Sequence, residues 1–106
     1  MNQELIVLVI EQHMHMFKGV SVYVDGHLHL FSGVSSAALN LPGHTHTISG
    51  NTTTDAAHYH PYSVTTYGPT YVDAAHYKHY HYYEGRTDLV LNHRHPMSGT
   101  TFVLGE

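Results

Sequence analysis

A chain of 106 residues is one domain's worth, or three small units in tandem, and buries only a modest core. Only 11% of its residues are Asp, Glu, Lys or Arg, while 13 are His and 9 are Tyr, and the formal net charge is −4. No basic stripe exists to neutralise phosphates, which argues against a nucleic-acid partner. There is no cysteine, so disulfides and thiolate ligands are excluded and the redox compartment stays undetermined.

The chain opens with the apolar run Leu5-Ile6-Val7-Leu8-Val9-Ile10. It is too short to span a bilayer, and it lacks the basic flank and cleavage site of a signal peptide, so no membrane partner is expected. Its β-branched content predicts a strand within residues 1–12.

Six segments then align without gaps. The first runs His13-Met14-His15-Met16-Phe17-Lys18-Gly19-Val20-Ser21, and the second His27-Leu28-His29-Leu30-Phe31-Ser32-Gly33-Val34-Ser35. The others begin at the pairs His44/His46, His58/His60, His79/His81 and His93/His95. The shared pattern is His-x-His-x-(aromatic or large apolar)-x-Gly-x-(Ser/Thr), broken at the glycine position only by Val64. Every fixed position is two residues from the next, so one face of a strand is specified and the other drifts. The fold class is therefore all-β and antiparallel, with no amphipathic helix of useful length.

Successive copies are offset by 14, 17, 14, 21 and 14 residues. Short and long steps alternate, which predicts one β-repeat domain over 1–106 holding three tandem hairpins at 13–35, 44–66 and 79–101. Pro42-Gly43 and Gly68-Pro69 punctuate the long steps, and Asp25-Gly26 centres the first short one. His76 reads as a partial extra copy, since Asp73-Ala74-Ala75-His76-Tyr77 echoes Asp55-Ala56-Ala57-His58-Tyr59. A three-residue loop, Val24-Asp25-Gly26, is expected in the first hairpin; residues whose numbers sum to 50 then face each other. This sets Phe17 over Gly33 and Phe31 over Gly19. The later hairpins follow with Ile48 over Val64, Tyr62 over Gly50, Tyr83 over Gly99 and Met97 over Gly85.

Two histidines at i and i+2 of a strand leave the same face, roughly 6.5 Å apart at the backbone, and can converge on one ion. One pair supplies two nitrogens, so further pairs must close a site. The up-and-down hairpins place His13, His15, His44, His46, His79 and His81 at one end, and His27, His29, His58, His60, His93 and His95 at the other. Hairpins set around a pseudo-threefold axis make each end a ring of up to six imidazoles; an extended chain instead meets its copies in an oligomer. All twelve are candidate metal ligands, and all-imidazole ligation suits Cu, Zn, Fe or Ni. Four-His sites give three ions per chain and six-His sites give two. Phe17, Phe31, Tyr62 and Tyr83 would wall the sites from water. Tyr59, Tyr77, Tyr80 and Tyr82 read as packing or assembly surface. Asp25, Asp55, Asp73 and Asp88 read as turn residues, with a lesser role accepting a free imidazole N–H.

The tandem His-x-His-x-Phe-x-Gly pattern, with Gly26-His27 and Gly43-His44 introducing copies, resembles the YmaF-like bacterial proteins over about residues 13–101. That resemblance implies a histidine-repeat protein without defining its role. Locally, Gly43-His44-Thr45-His46-Thr47-Ile48-Ser49-Gly50 is similar to His-x-His stretches of phage tail-fibre tips. That likeness implies an iron ion surrounded by six histidines from three chains.

The residues together predict a structural protein whose metal ions cross-link strands or subunits, as a homo-oligomer or filament associating through Leu5–Ile10. A surface or extracellular fibre is the special case of that reading, and a soluble metal buffer or chaperone is the alternative. No nucleophile elbow, phosphate loop or carboxylate beside the histidines on the same face supports an enzyme.

Overall fold

The structure, a computed structural model, describes residues 12–103. It is all-β, built of small antiparallel sheets. In chain order the strands are β1 (Gln12–His13), β2 (Met16–Val20), β3 (Leu30–Val34), β4 (Ala38–Leu39), β5 (Thr47–Asn51), β6 (Pro61–Thr65), β7 (Pro69–Asp73), β8 (Lys78–Arg86) and β9 (Pro96–Thr100). The expected strand at Leu5–Ile10 lies outside the described residues. The helical content among the described residues is one 3-10 turn, Ala74–His76.

Strict alternation builds the hairpins β2–β3, β5–β6 and β8–β9. Their registers are the expected ones: Phe17 faces Gly33, Gly19 faces Phe31, Ile48 faces Val64, Gly50 faces Tyr62, Tyr83 faces Gly99 and Gly85 faces Met97. The rings lie so close over the glycines that a Cβ on Gly19 would sit 2.7 Å from Phe31 Cζ. Phe17, Phe31, Ile48, Tyr62, Val64, Tyr83 and Met97 form the buried core. Where Ile48 replaces an aromatic ring, Val64 replaces the glycine opposite, so volume lost on one strand is restored on the other. Each buried Phe contributes about 1.5–3 kcal/mol of apolar burial.

The hairpin tips differ from expectation. Val24 and His27 exchange both backbone bonds, at 2.9 and 3.2 Å, so the loop is the two-residue turn Asp25-Gly26. Both turn residues have positive φ, 52° and 85°, as a type I′ turn requires. The tip pairs residues summing to 51, whereas Ser21 and His29 keep the sum of 50. The odd residue is therefore absorbed as a bulge around Val22 and Tyr23, opposite Leu28, which keeps both histidine pairs on one face. Ala56-Ala57 and Leu91-Asn92 form the corresponding turns, all with φ between 51° and 66°.

The long connections carry structure of their own. β4 pairs with β1, setting His13 beside Ala38. β7 pairs with the first half of β8, and β9 takes its second half, so β8 serves two neighbours. The segment holding His76 thus makes the turn into β8, while the side chain of His76 lies outside what the structure describes.

Backbone bonds also tie the hairpins two at a time. At one end Ser36 N donates to Thr47 O, Tyr67 N to Tyr82 O and Phe102 N to Met16 O, at 2.8–2.9 Å. At the other, Thr53 N donates to Leu30 O, Asp88 N to Pro61 O and Val22 N to Pro96 O, at 2.8–2.9 Å.

Candidate metal centres

Five of the six histidine pairs lie just before the ladder of their own strand, and the motif's final hydroxyl residue explains the boundary. The Ser35 amide donates to His15 O at 2.8 Å, but the His15 amide donates to Ser35 Oγ at 2.9 Å rather than to a backbone carbonyl. The same reciprocal pair joins His29 with Ser21, His46 with Thr66, His60 with Thr52, His81 with Thr101 and His95 with Thr87. All six hydroxyl residues are buried. Each holds the second histidine of the opposite strand by its own backbone, and sequence reading recorded the Ser/Thr without giving it this role.

The rings are oriented by a second set of carbonyls. His15 Nδ1 donates to Phe102 O at 2.9 Å, His29 to Thr53 O at 2.9 Å and His46 to Ser36 O at 2.7 Å. His60 donates to Asp88 O, His81 to Tyr67 O and His95 to Val22 O at 2.7–3.0 Å. In every case the acceptor follows the hydroxyl residue of another hairpin. Among the first histidines, His27, His44, His58, His79 and His93 donate Nδ1–H to Asp25 O, Leu41 O, Ala56 O, Tyr77 O and Leu91 O. His13 Nδ1 has no such partner among the described residues. Carboxylates are secondary: Asp55 Oδ2 lies 3.3 Å from His29 Nδ1, and Asp25 Oδ2 lies 3.7 Å from His93 Nδ1.

A carbonyl only accepts, so these contacts place the proton on Nδ1 and leave the Nε2 lone pair free. The Nε2 atoms converge. His13, His15, His44, His46, His79 and His81 form one group, and His27, His29, His58, His60, His93 and His95 the other, with the offered nitrogens of each within 4.8 Å of one another. The sequence grouped the twelve in these two sets. Nε2 atoms of His13, His44 and His79 form a triangle with edges of 3.1, 3.2 and 3.1 Å. Those of His27, His58 and His93 form another at 3.1, 3.1 and 3.2 Å. The second histidines make the opposite face, His15 lying 3.0 Å from His79 and His46 3.1 Å from His13.

Ring packing reveals the polyhedron. In the first group each imidazole packs edge-on against four others, with centroids 4.5–5.3 Å apart. The pairs left out are His15/His44, His13/His81 and His46/His79, the three diagonals of an octahedron. The second group repeats the pattern at 4.7–5.0 Å, with His27/His60, His29/His93 and His58/His95 as diagonals. Five of the twelve edges of each octahedron measure 3.0–3.2 Å, and a shell with all its edges at that length would have its centre about 2.2 Å from the nitrogens, a distance suited to six-coordinate transition metals.

Electrostatics agrees with a cation site. Apart from His13 and His27, the cluster histidines are at most 9% exposed. Burial first, and repulsion from neighbouring imidazoles second, lowers His13 to about 3. Burial likewise takes His81 to about 3 and His15 to about 4, against carbonyl bonds that raise them. His46, His60, His79 and His95 are also lowered, chiefly by burial. These seven rings are thus held neutral. Nε2 of His29 and of His81 is buried without a hydrogen-bond partner. Six lone pairs aimed at one point repel one another and attract a cation, so the residues fit a metal ion.

A family model described as YmaF, spore germination protein GerY/YamF, matches residues 3–68. The chain belongs to the YmaF family. The matched span includes the histidine pairs from His13/His15 to His58/His60, two from each cluster. No curated protein and no solved structure matches the chain.

Proposed function

We propose that this YmaF-family chain is a metal-stapled β protein in which each six-histidine cluster holds one octahedral transition-metal ion, two per chain. The observation that carries the reading is the convergence of six Nε2 lone pairs in each cluster, the Nδ1 protons of every ring but His13 being already committed to backbone carbonyls. The cross-link acts within one chain, between hairpins. Three hairpins around a pseudo-threefold axis account for the arrangement; supporting this, the inter-hairpin amide bonds run from first to second, second to third and third to first, and reverse direction at the other end. Among Cu, Zn, Fe and Ni, a regular shell of six nitrogens favours Fe or Ni, because Cu(II) prefers tetragonal and structural Zn tetrahedral surroundings. Such a shell leaves no position for a substrate, so the proposed role is structural rather than catalytic. The family's description extends to this chain as a setting, spore germination.

Elemental analysis with native mass spectrometry tests this. Two ions per chain are expected, falling to one when His46 and His81 are both replaced by Ala. Three ions per chain, or none after loading with Fe(II) or Ni(II), overturns the reading. Chelation separates a staple from a metal buffer: a stapled fold loses its β circular dichroism when stripped, whereas a buffer keeps it.

A further inference from the structure

The three hairpins are equivalent in what they point inward and unequal in what they point outward. On the outer face of β2–β3 the register sets Met16 beside Val34, Lys18 beside Ser32 and Val20 beside Leu30, with Met14 and Leu28 continuing the stripe. The same positions of β5–β6 hold Thr47 beside Thr65, Ser49 beside Ser63 and Asn51 beside Pro61. In β8–β9 they hold Tyr82 beside Thr100, Glu84 beside Ser98 and Arg86 beside Pro96. Apart from the proline that both carry at the position of Leu30, two hairpins thus meet water with hydroxyls, an amide and charges where the first carries aliphatic side chains. The contrast is internal to the molecule: the fold tolerates polar residues at these positions, so packing within the chain does not require the apolar ones.

Met14, Met16, Val20, Leu28, Leu30 and Val34 are 39–59% exposed. Together they present roughly 600 Å², at the upper end of the largest apolar patch on an ordinary monomer. Covered completely by a second copy, the two faces would bury roughly 1,200 Å², the lower bound of a stable protein–protein interface. The face also suits self-recognition. It is a short antiparallel ribbon with Lys18 and Ser32 at its middle, so a twofold axis parallel to the strands sets each Lys18 ammonium against a Ser32 hydroxyl. An axis across the strands would oppose two ammonium groups. The aliphatic pairs then close on either side of that polar centre.

We infer that the outer face of β2–β3 is the interface of a homodimer, formed face to face with a second copy of this chain. The surface is separate from both histidine clusters, and its failure would leave the metal reading untouched.

Sedimentation equilibrium of the full, metal-loaded chain between about 1 and 100 µM tests it. The expected mass is twice 11.9 kDa for the natural sequence. Met16→Thr with Val34→Thr copies the Thr47–Thr65 pair that β5–β6 already accommodates, and should weaken association at least 100-fold. Metal content and β circular dichroism serve as the folding control and should not change. Dimers persisting unaltered in the double variant overturn the proposal and move association elsewhere. A natural chain that stays monomeric at 100 µM also overturns it, whether residues 5–10 or a lipid surface then covers the face. Flotation with phosphatidylcholine vesicles reads the lipid case.

Discussion

The hydroxyl of Thr66 accepts the His46 amide at 3.0 Å, while the Thr66 amide donates to His46 O at 2.8 Å. Remove that oxygen and a buried N–H loses its acceptor, which costs about 1–3 kcal/mol. Thr66→Val keeps the shape and should lower the stability of the metal-loaded protein by that amount, read from urea unfolding; Thr66→Ser should restore most of it. The sequence announced the hydroxyl by repeating it at a fixed place, yet nothing in a period-two pattern says that it replaces a ladder carbonyl. The Nδ1 acceptors were less legible still. His15 uses Phe102 O and His95 uses Val22 O, partners far away in the chain that any residue type would supply equally well. By contrast, which nitrogen-bearing side chains share a face followed directly from i, i+2 spacing.

At the level of elements, register was readable because each ring needs a glycine across from it, and only one pairing supplies glycines to Phe17 and Phe31 together. Loop length was not. A three-residue loop and a two-residue turn followed by a bulge have the same parity, so facing side chains cannot distinguish them. One of the three turns also lacks the residues that advertise it. Ala56 and Ala57 sit at φ 52° and 65°, where side chains with a Cβ are strained by about 1–2 kcal/mol each. Ala56→Asn with Ala57→Gly should therefore raise the unfolding temperature by about 4–8 °C, measured by calorimetry. His58 should keep its ring orientation, since its acceptor is the backbone carbonyl of residue 56. An unchanged or lower temperature would show that the turn is not strained. β7 escaped the sequence reading because Gly68-Pro69 looked like punctuation, whereas the strand it begins lies on the far edge of β8.

For the molecule as a whole, composition makes histidine neutrality the dominant pH term. His13, His15 and His81 stand near 3 to 4 when folded, against 6.5 when exposed. The unfolded chain therefore binds more protons, and stability falls as the solution is acidified. The loss begins near pH 6.5 and continues toward pH 3; above 6.5 the contribution is complete. Metal-loaded protein should lose roughly 10 °C or more of melting temperature between pH 7.5 and 5, read by circular dichroism. A melting temperature flat across that range would contradict the buried, neutral clusters. Which pairs meet was legible from the up-and-down course of the chain. That they close on a point rather than a loose ring was not, because closure depends on the carbonyls that steer each imidazole.

Each hairpin sends one histidine pair to each cluster. On the proposed two-ion reading, whichever ion is captured first must gather all three hairpins from an open chain and bears that entropy alone. The other then enters a cage already assembled. Loading should accordingly be all-or-none: at half the saturating metal, native mass spectra should show chains with zero ions and chains with two, and few with one.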